Sequence, residues 1–161
     1  MKTLAFFFAL MIPSFARLGE TVHQCESRYG NNKHQTPNEG WYEKNGINVH
    51  ATFRDGIAVK INYWKKSEDL FSRPKLSDIQ VHEILKVNSQ GKEWIEVVEG
   101  TGFSITRKTM KRADGSAWIT WDYLSGEVRF IADSEKKLEE NLKAIEAKKE
   151  LEAQKKAVQG F

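Results

Sequence analysis

The sequence has a single cysteine, Cys25, in 161 residues, so no disulfide can form within the chain. Small secreted folds stapled by a disulfide framework are thereby excluded. There is no G-x-S-x-G elbow, no phosphate-binding P-loop, no H-E-x-x-H pair and no paired cysteines for a metal. Charge of one sign is also scarce. The 25 Lys and Arg against 22 Asp and Glu leave only +3, too weak a balance to imply nucleic acid, which calls for clustered Lys and Arg. Long apolar runs are missing beyond the first residues, so no later stretch reads as a bilayer span, which needs about 20 apolar residues.

What is there begins with "MKTLAFFFALMIPSFA". Lys2 precedes an apolar run over 4–12, and Ser14 and Ala16 place small residues before a cut between Ala16 and Arg17. This is the pattern of a cleaved secretory signal over 1–16, and it predicts a periplasmic or secreted protein. Removing Lys2 with that segment lowers the net charge to +2. Cys25 follows Val22-His23-Gln24 and not a small-residue box, so no lipid anchor is expected there.

The body carries an internal repeat. Val22-His23 recurs as Val81-His82, Asp55-Gly56 as Asp114-Gly115 and Ala58 as Ala117, all at an offset of 59. Each Val-His pair falls on a short helix. Leu18, Val22, Cys25 and Tyr29 share one helical face before Gly30, and Ser77-x-x-Gln80 reads as a capping box ahead of Val81, Ile84 and Leu85. Cys25 aligns with Ile84, which marks it as a small core residue.

Alternating runs follow each helix. Asn45-Gly46 and Asp55-Gly56 separate "WYEK", "INVHATF" and "IAVKINY" as a meander. The second copy offers "EWIEVVEG", "GFSITRKTM" and "SAWITWDYL", with a further short strand in "EVRFI". Tyr63 matches Tyr123 at 60, and a one-residue bulge after the turn accounts for the change of offset. The fold class is therefore α+β. Two tandem units are expected, 17–75 and 76–133, each one helix plus a three-stranded antiparallel meander. A charged helical tail occupies 134–161. In that tail Leu138, Leu142 and Ile145 form a stripe of about two heptads, short of a coiled coil but able to meet a partner or a second copy.

Candidate functional residues are of two kinds. Glu20 with His23 and Asp78 with His82 could each share a helix face and offer a metal or acid–base site; His34 and His50 are the other imidazoles. The aromatic set is broader. Trp41, Trp64, Trp118 and Trp121 fall in or beside predicted strands, where alternation must turn some of them outward. Exposed Trp on a rigid sheet is enriched at protein interfaces.

The signal segment followed by tandem helix-plus-meander units resembles the SmpA/OmlA-like group of outer-membrane assembly proteins and the β-lactamase inhibitor protein group. The opening "RLGETVHQCESRYG" also resembles a group of exported bacterial proteins. The chain departs from the first group in lacking the lipid-anchor cysteine box and from the second in lacking disulfides. The resemblance implies an exported, non-enzymatic module without a cofactor that binds another envelope or secreted protein. Inhibition of a secreted hydrolase, and metal or acid–base chemistry at the His/carboxylate pairs, are the alternatives.

Overall fold

The computed structural model describes residues 17–33, 36–67, 74–97 and 106–159. The signal segment with Ala16, His34 and the beginning of the "GFSITRKTM" run lie outside the described residues. The elements run α1 (Val22–Tyr29), β1 (Glu39–Lys44), β2 (Ile47–Arg54), β3 (Ile57–Lys65), α2 (Asp78–Asn88), β4 (Trp94–Glu96), β5 (Arg107–Arg112), β6 (Ala117–Asp122), β7 (Val128–Ala132) and α3 (Asp133–Gln159).

Local chemistry explains the boundaries. Both short helices start with capping boxes, Thr21 with Gln24 and Ser77 with Gln80, each satisfying backbone donors that the first turn leaves free. Two hairpins use two-residue turns whose residues all have positive φ: Asn45-Gly46 at 53° and 70°, Asp55-Gly56 at 52° and 74°. That geometry matches the twist of the flanking strands and selects Asn-Gly and Asp-Gly. Asp114-Gly115 is built differently. Only Gly115 has positive φ, and the Asp114 carboxylate accepts from the backbone and hydroxyl of Ser116 and from Arg112. These bonds hold the Asp114 carboxyl well below the usual range. Both Asp-Gly pairs are turns, but they are not the same turn.

The seven strands among the described residues join one antiparallel sheet in the order β1-β2-β3-β7-β6-β5-β4. The expectation of two like three-stranded units needs correcting here. β7 enters the centre of the sheet because Val128 and Phe130 are fully buried there. It pairs antiparallel with both β3 and β6, so these two run parallel with β7 between them. The meanders β1-β2-β3 and β4-β5-β6 thus approach β7 from opposite edges with their first strands pointing the same way. Both helices cover one face. The Tyr29 ring lies 5.6 Å from Tyr42, Asn88 Nδ2 donates to Tyr63 Oη, and Trp94 Nε1 donates to the Leu85 carbonyl. Meanders so arranged are mirror-related, and no rotation superposes them. The bulge also differs from expectation. It follows the first turn, where Thr52 pairs with Lys60 and Phe53 with Ala58, so the extra residue belongs to the first copy.

The core lies between this face and α1 and α2. Cys25, Ile61, Tyr63, Ile84, Ile119, Val128 and Phe130 are fully buried. Phe130 meets Tyr63 and Trp94 edge-on, each at 5.8 Å. Burial pushes the Cys25 thiol up to about 12, so it stays protonated and unreactive at neutral pH. Among the described residues no helix is long and apolar enough to cross a membrane.

Ile84→Ala should destabilise by about 2–5 kcal/mol, because it leaves a cavity beneath α2. Ile79→Ala on the same helix, at a residue 78% exposed, should change stability by under about 0.5 kcal/mol. Urea unfolding of the two variants checks this. Equal costs would contradict the docking of α2 through Val81 and Ile84.

Candidate functional site: the second face of the sheet

Strand alternation sends every other side chain to the face away from α1 and α2. Cross-strand pairing arranges them in rows. Trp41 opposes His50, His50 opposes Asn62, and Asn62 opposes Arg129. The next row carries Thr52, Lys60, Ile131, Trp118 and Lys111. Trp64 opposes Asn48, beside the first row. The face is thus settled by register, which the two-residue turns set for β1, β2 and β3.

α3 covers one part of it. β7 passes into α3 without a loop, from Ala132 to Asp133, so the helix begins against the sheet. Trp118 is the focus of the contact. Its Nε1–H donates to Asp133 Oδ1 at 2.8 Å, and Lys136 Nζ sits 3.3 Å from its ring centroid. Lys111 stands over the same ring at 4.8 Å. Arg54 grips Glu135 with two bonds of 2.9 Å, and Lys60 bonds Glu139. The Arg54 guanidinium holds the Glu135 carboxyl below its usual range. These contacts end at Glu139. From Glu140 to Lys155 every residue of the helix is exposed, including Leu142, Ile145 and Leu151.

The remainder of the face lies clear of the helix. Trp41 stacks on His50 with centroids 4.0 Å apart and planes at 20°, and Trp64 meets Trp41 edge-on at 6.0 Å. The Trp rings span β2 and form a half-buried aromatic corner. Two polar atoms at its base, His50 Nε2 and Asn62 Oδ1, are buried without a hydrogen-bond partner among the described residues. Native structures leave few such atoms, each costing roughly 1–3 kcal/mol. Glu39 Oε1 lies 3.9 Å from His50 Nε2. At the rim Glu43 accepts from Lys33 and Lys66, which bring its carboxyl down to about 2.

The four tryptophans singled out by sequence are therefore divided. Trp41 and Trp64 meet on the open part. Trp118 shares their face but lies under α3. Trp121 is on the other face, packed against the core and 4.6 Å from Tyr123. The His/carboxylate pairs are placed apart from this corner. Glu20 is buried and held by Arg28 at 2.8 Å, while His23, Asp78 and His82 are exposed. Among the described residues no three His, Cys, Asp or Glu side chains gather as a metal site. Sequence reasoning missed His50 and Asn62. The signal was present: with Val49, Ala51 and Phe53 turned inward, the Asn45-Gly46 hairpin sets His50 beside Trp41.

The free edge beside this corner is blocked locally. Asn32 donates to the Glu39 carbonyl and accepts from Trp41 N–H, and Lys33 N–H donates to the Trp41 carbonyl. These bonds occupy outward backbone groups of β1 and protect an edge that could otherwise pair with another strand.

Burial lowers the pKa of His50 below its ordinary 6.5, Lys60 adding to the effect and Glu39 and Glu127 opposing it. The folded state thus binds this proton less readily than the unfolded chain. The stabilisation is complete above pH 6.5 and is lost as the pH falls through the folded-state midpoint. A proton NMR titration should place the His50 midpoint below 6.5, and His50→Gln should flatten this part of the stability–pH profile. A midpoint at or above the ordinary value would contradict the burial.

Compared with known proteins, the chain matches no family model, no curated protein and no solved structure.

Proposed function

We propose that this protein is an exported, non-catalytic binding module that engages a protein partner, in the envelope or outside the cell, through the open part of its second sheet face. The observation that carries this reading is the aromatic corner of Trp41 and Trp64, mounted on a rigid sheet and left clear by α3. Aromatic anchors fixed by backbone pairing lose little conformational freedom on binding, which favours them as interface centres. The unpartnered His50 Nε2 and Asn62 Oδ1 at its base add polar groups that a conformational adjustment on binding could satisfy. Export is supported by the three-part opening segment ending at Ala16.

Two measurements test the reading. The N-terminus of the protein recovered from outside the cytoplasm should be Arg17; recovery only from the cytoplasm with residues 1–16 attached would contradict export. A photo-reactive side chain at Trp64 should crosslink a protein in the native host, and the same probe at the exposed His82, on the helix-covered side, should not. Equal capture from both positions, or none from Trp64, would remove the open face as the binding surface.

A further inference from the structure

The contact between α3 and the sheet has a sequence signature that the helix repeats. Asp133, Lys136 and Glu139 are spaced three apart and do separate jobs. Asp133 takes the Trp118 indole N–H, Lys136 lies over the ring, and Glu139 bonds Lys60. Acid-x-x-Lys-x-x-Glu recurs twice further along, as Glu140, Lys143 and Glu146, and as Glu146, Lys149 and Glu152. At 3.6 residues per turn each set lies along one helical flank, as the first does. All of these later residues are exposed, so the helix carries two further Trp-gripping sets that its own sheet does not engage.

The open part of the face offers the matching groups. Trp64 is half-buried on β3, and Arg129 projects from the neighbouring strand β7 with its side chain 51% exposed and its guanidinium 3.3 Å from the carboxylate of Glu127, a surface pair that a second carboxylate can join. Residues 140–159 form a helix of about 30 Å. Seven strands at about 4.8 Å spacing are of similar breadth. The length, the charge pattern and the existing contact on the same face agree.

The geometry points to a second copy of this chain as the partner of that face: the outer half of α3 from each molecule lies across the Trp64 region of the other. This rests on the binding-face reading above and names its occupant. The arrangement is isologous, each copy giving one helix and receiving one, so it closes as a dimer. Lys143 or Lys149 takes the place over Trp64 that Lys136 has over Trp118, and a carboxylate three residues away faces Arg129. The contact is made of exposed charges and cation–π pairs, so it is weak and sensitive to salt.

Light scattering on the purified full chain, from about 5 to about 500 µM, reads the mass in the range where such affinities fall. A dimer should form as concentration rises, and association should weaken at least about tenfold between about 50 and about 500 mM salt. Lys143→Gln with Lys149→Gln, at exposed positions that leave the body untouched, should weaken it by a similar factor. Trp64→Ala, with folding checked by circular dichroism, should abolish it. A monomer throughout, or a dimer indifferent to both variants, overturns the proposal. If the chain is monomeric and the Trp64 probe still captures a different protein, self-pairing fails while the binding face stands; if it is monomeric and nothing is captured, both fail.

Discussion

The insertion of β7 between β3 and β6 is the constraint on which the other features rest. Val128 and Phe130 turn to one face, where Phe130 meets Tyr63 from one half of the sheet and Trp94 from the other. Arg129 turns to the opposite face, and Ile131 lies beside Lys60 and Trp118 in its cross-strand row. One five-residue strand thus joins two meanders into a single sheet and defines both of its faces. Because β7 enters α3 directly, it also fixes which face the long helix touches and where that contact begins.

The two faces are covered by different physics. Helices α1 and α2 bury apolar side chains against the sheet, and burial of this kind offers no charge for dilute salt to screen or for pH to titrate. Helix α3 is held chiefly by polar contacts: a bidentate Arg54–Glu135 pair, Lys60–Glu139, and Trp118 between Asp133 and Lys136. Such contacts are individually modest in water. They suffice here because the helix is already tethered by β7 and loses little further freedom on docking. From Glu140 to Lys155 the helix runs on with its charges exposed, and it does not cover the Trp41–Trp64 corner.

Much of this is legible in the sequence. The capping box at Ser77, the Asn45-Gly46 and Asp55-Gly56 turns, and the alternation of Val49, Ala51 and Phe53 all act within a few residues, and all gave the right local structure. Cys25 was readable as core from its place on an apolar helical face and its alignment with Ile84. What escaped was long-range. The offset of 59 implied two like units, yet nothing local says that "EVRFI" will enter the centre of the sheet and reverse the hand of one meander relative to the other. The division of the tryptophans failed for the same reason. Trp64 and Trp118 share a face, but only the path of α3 decides which is covered. Alternation and the Asn45-Gly46 hairpin were enough to set His50 beside Trp41, but the placing of Asn62 beside His50 depends on the register of β2 with β3, which includes a bulge.

Helix α3 covers the Trp118 end of the second face and leaves the Trp64 end uncovered. The indole N–H resonances of a nitrogen-15-labelled sample report this directly. In dilute solution a soluble paramagnetic agent should broaden the Trp64 signal strongly while sparing Trp94 and Trp118, whose indole N–H groups are bonded to Leu85 and Asp133. A Trp64 signal as protected as that of Trp94, or a Trp118 signal broadened as much as that of Trp64, would contradict this account of the face.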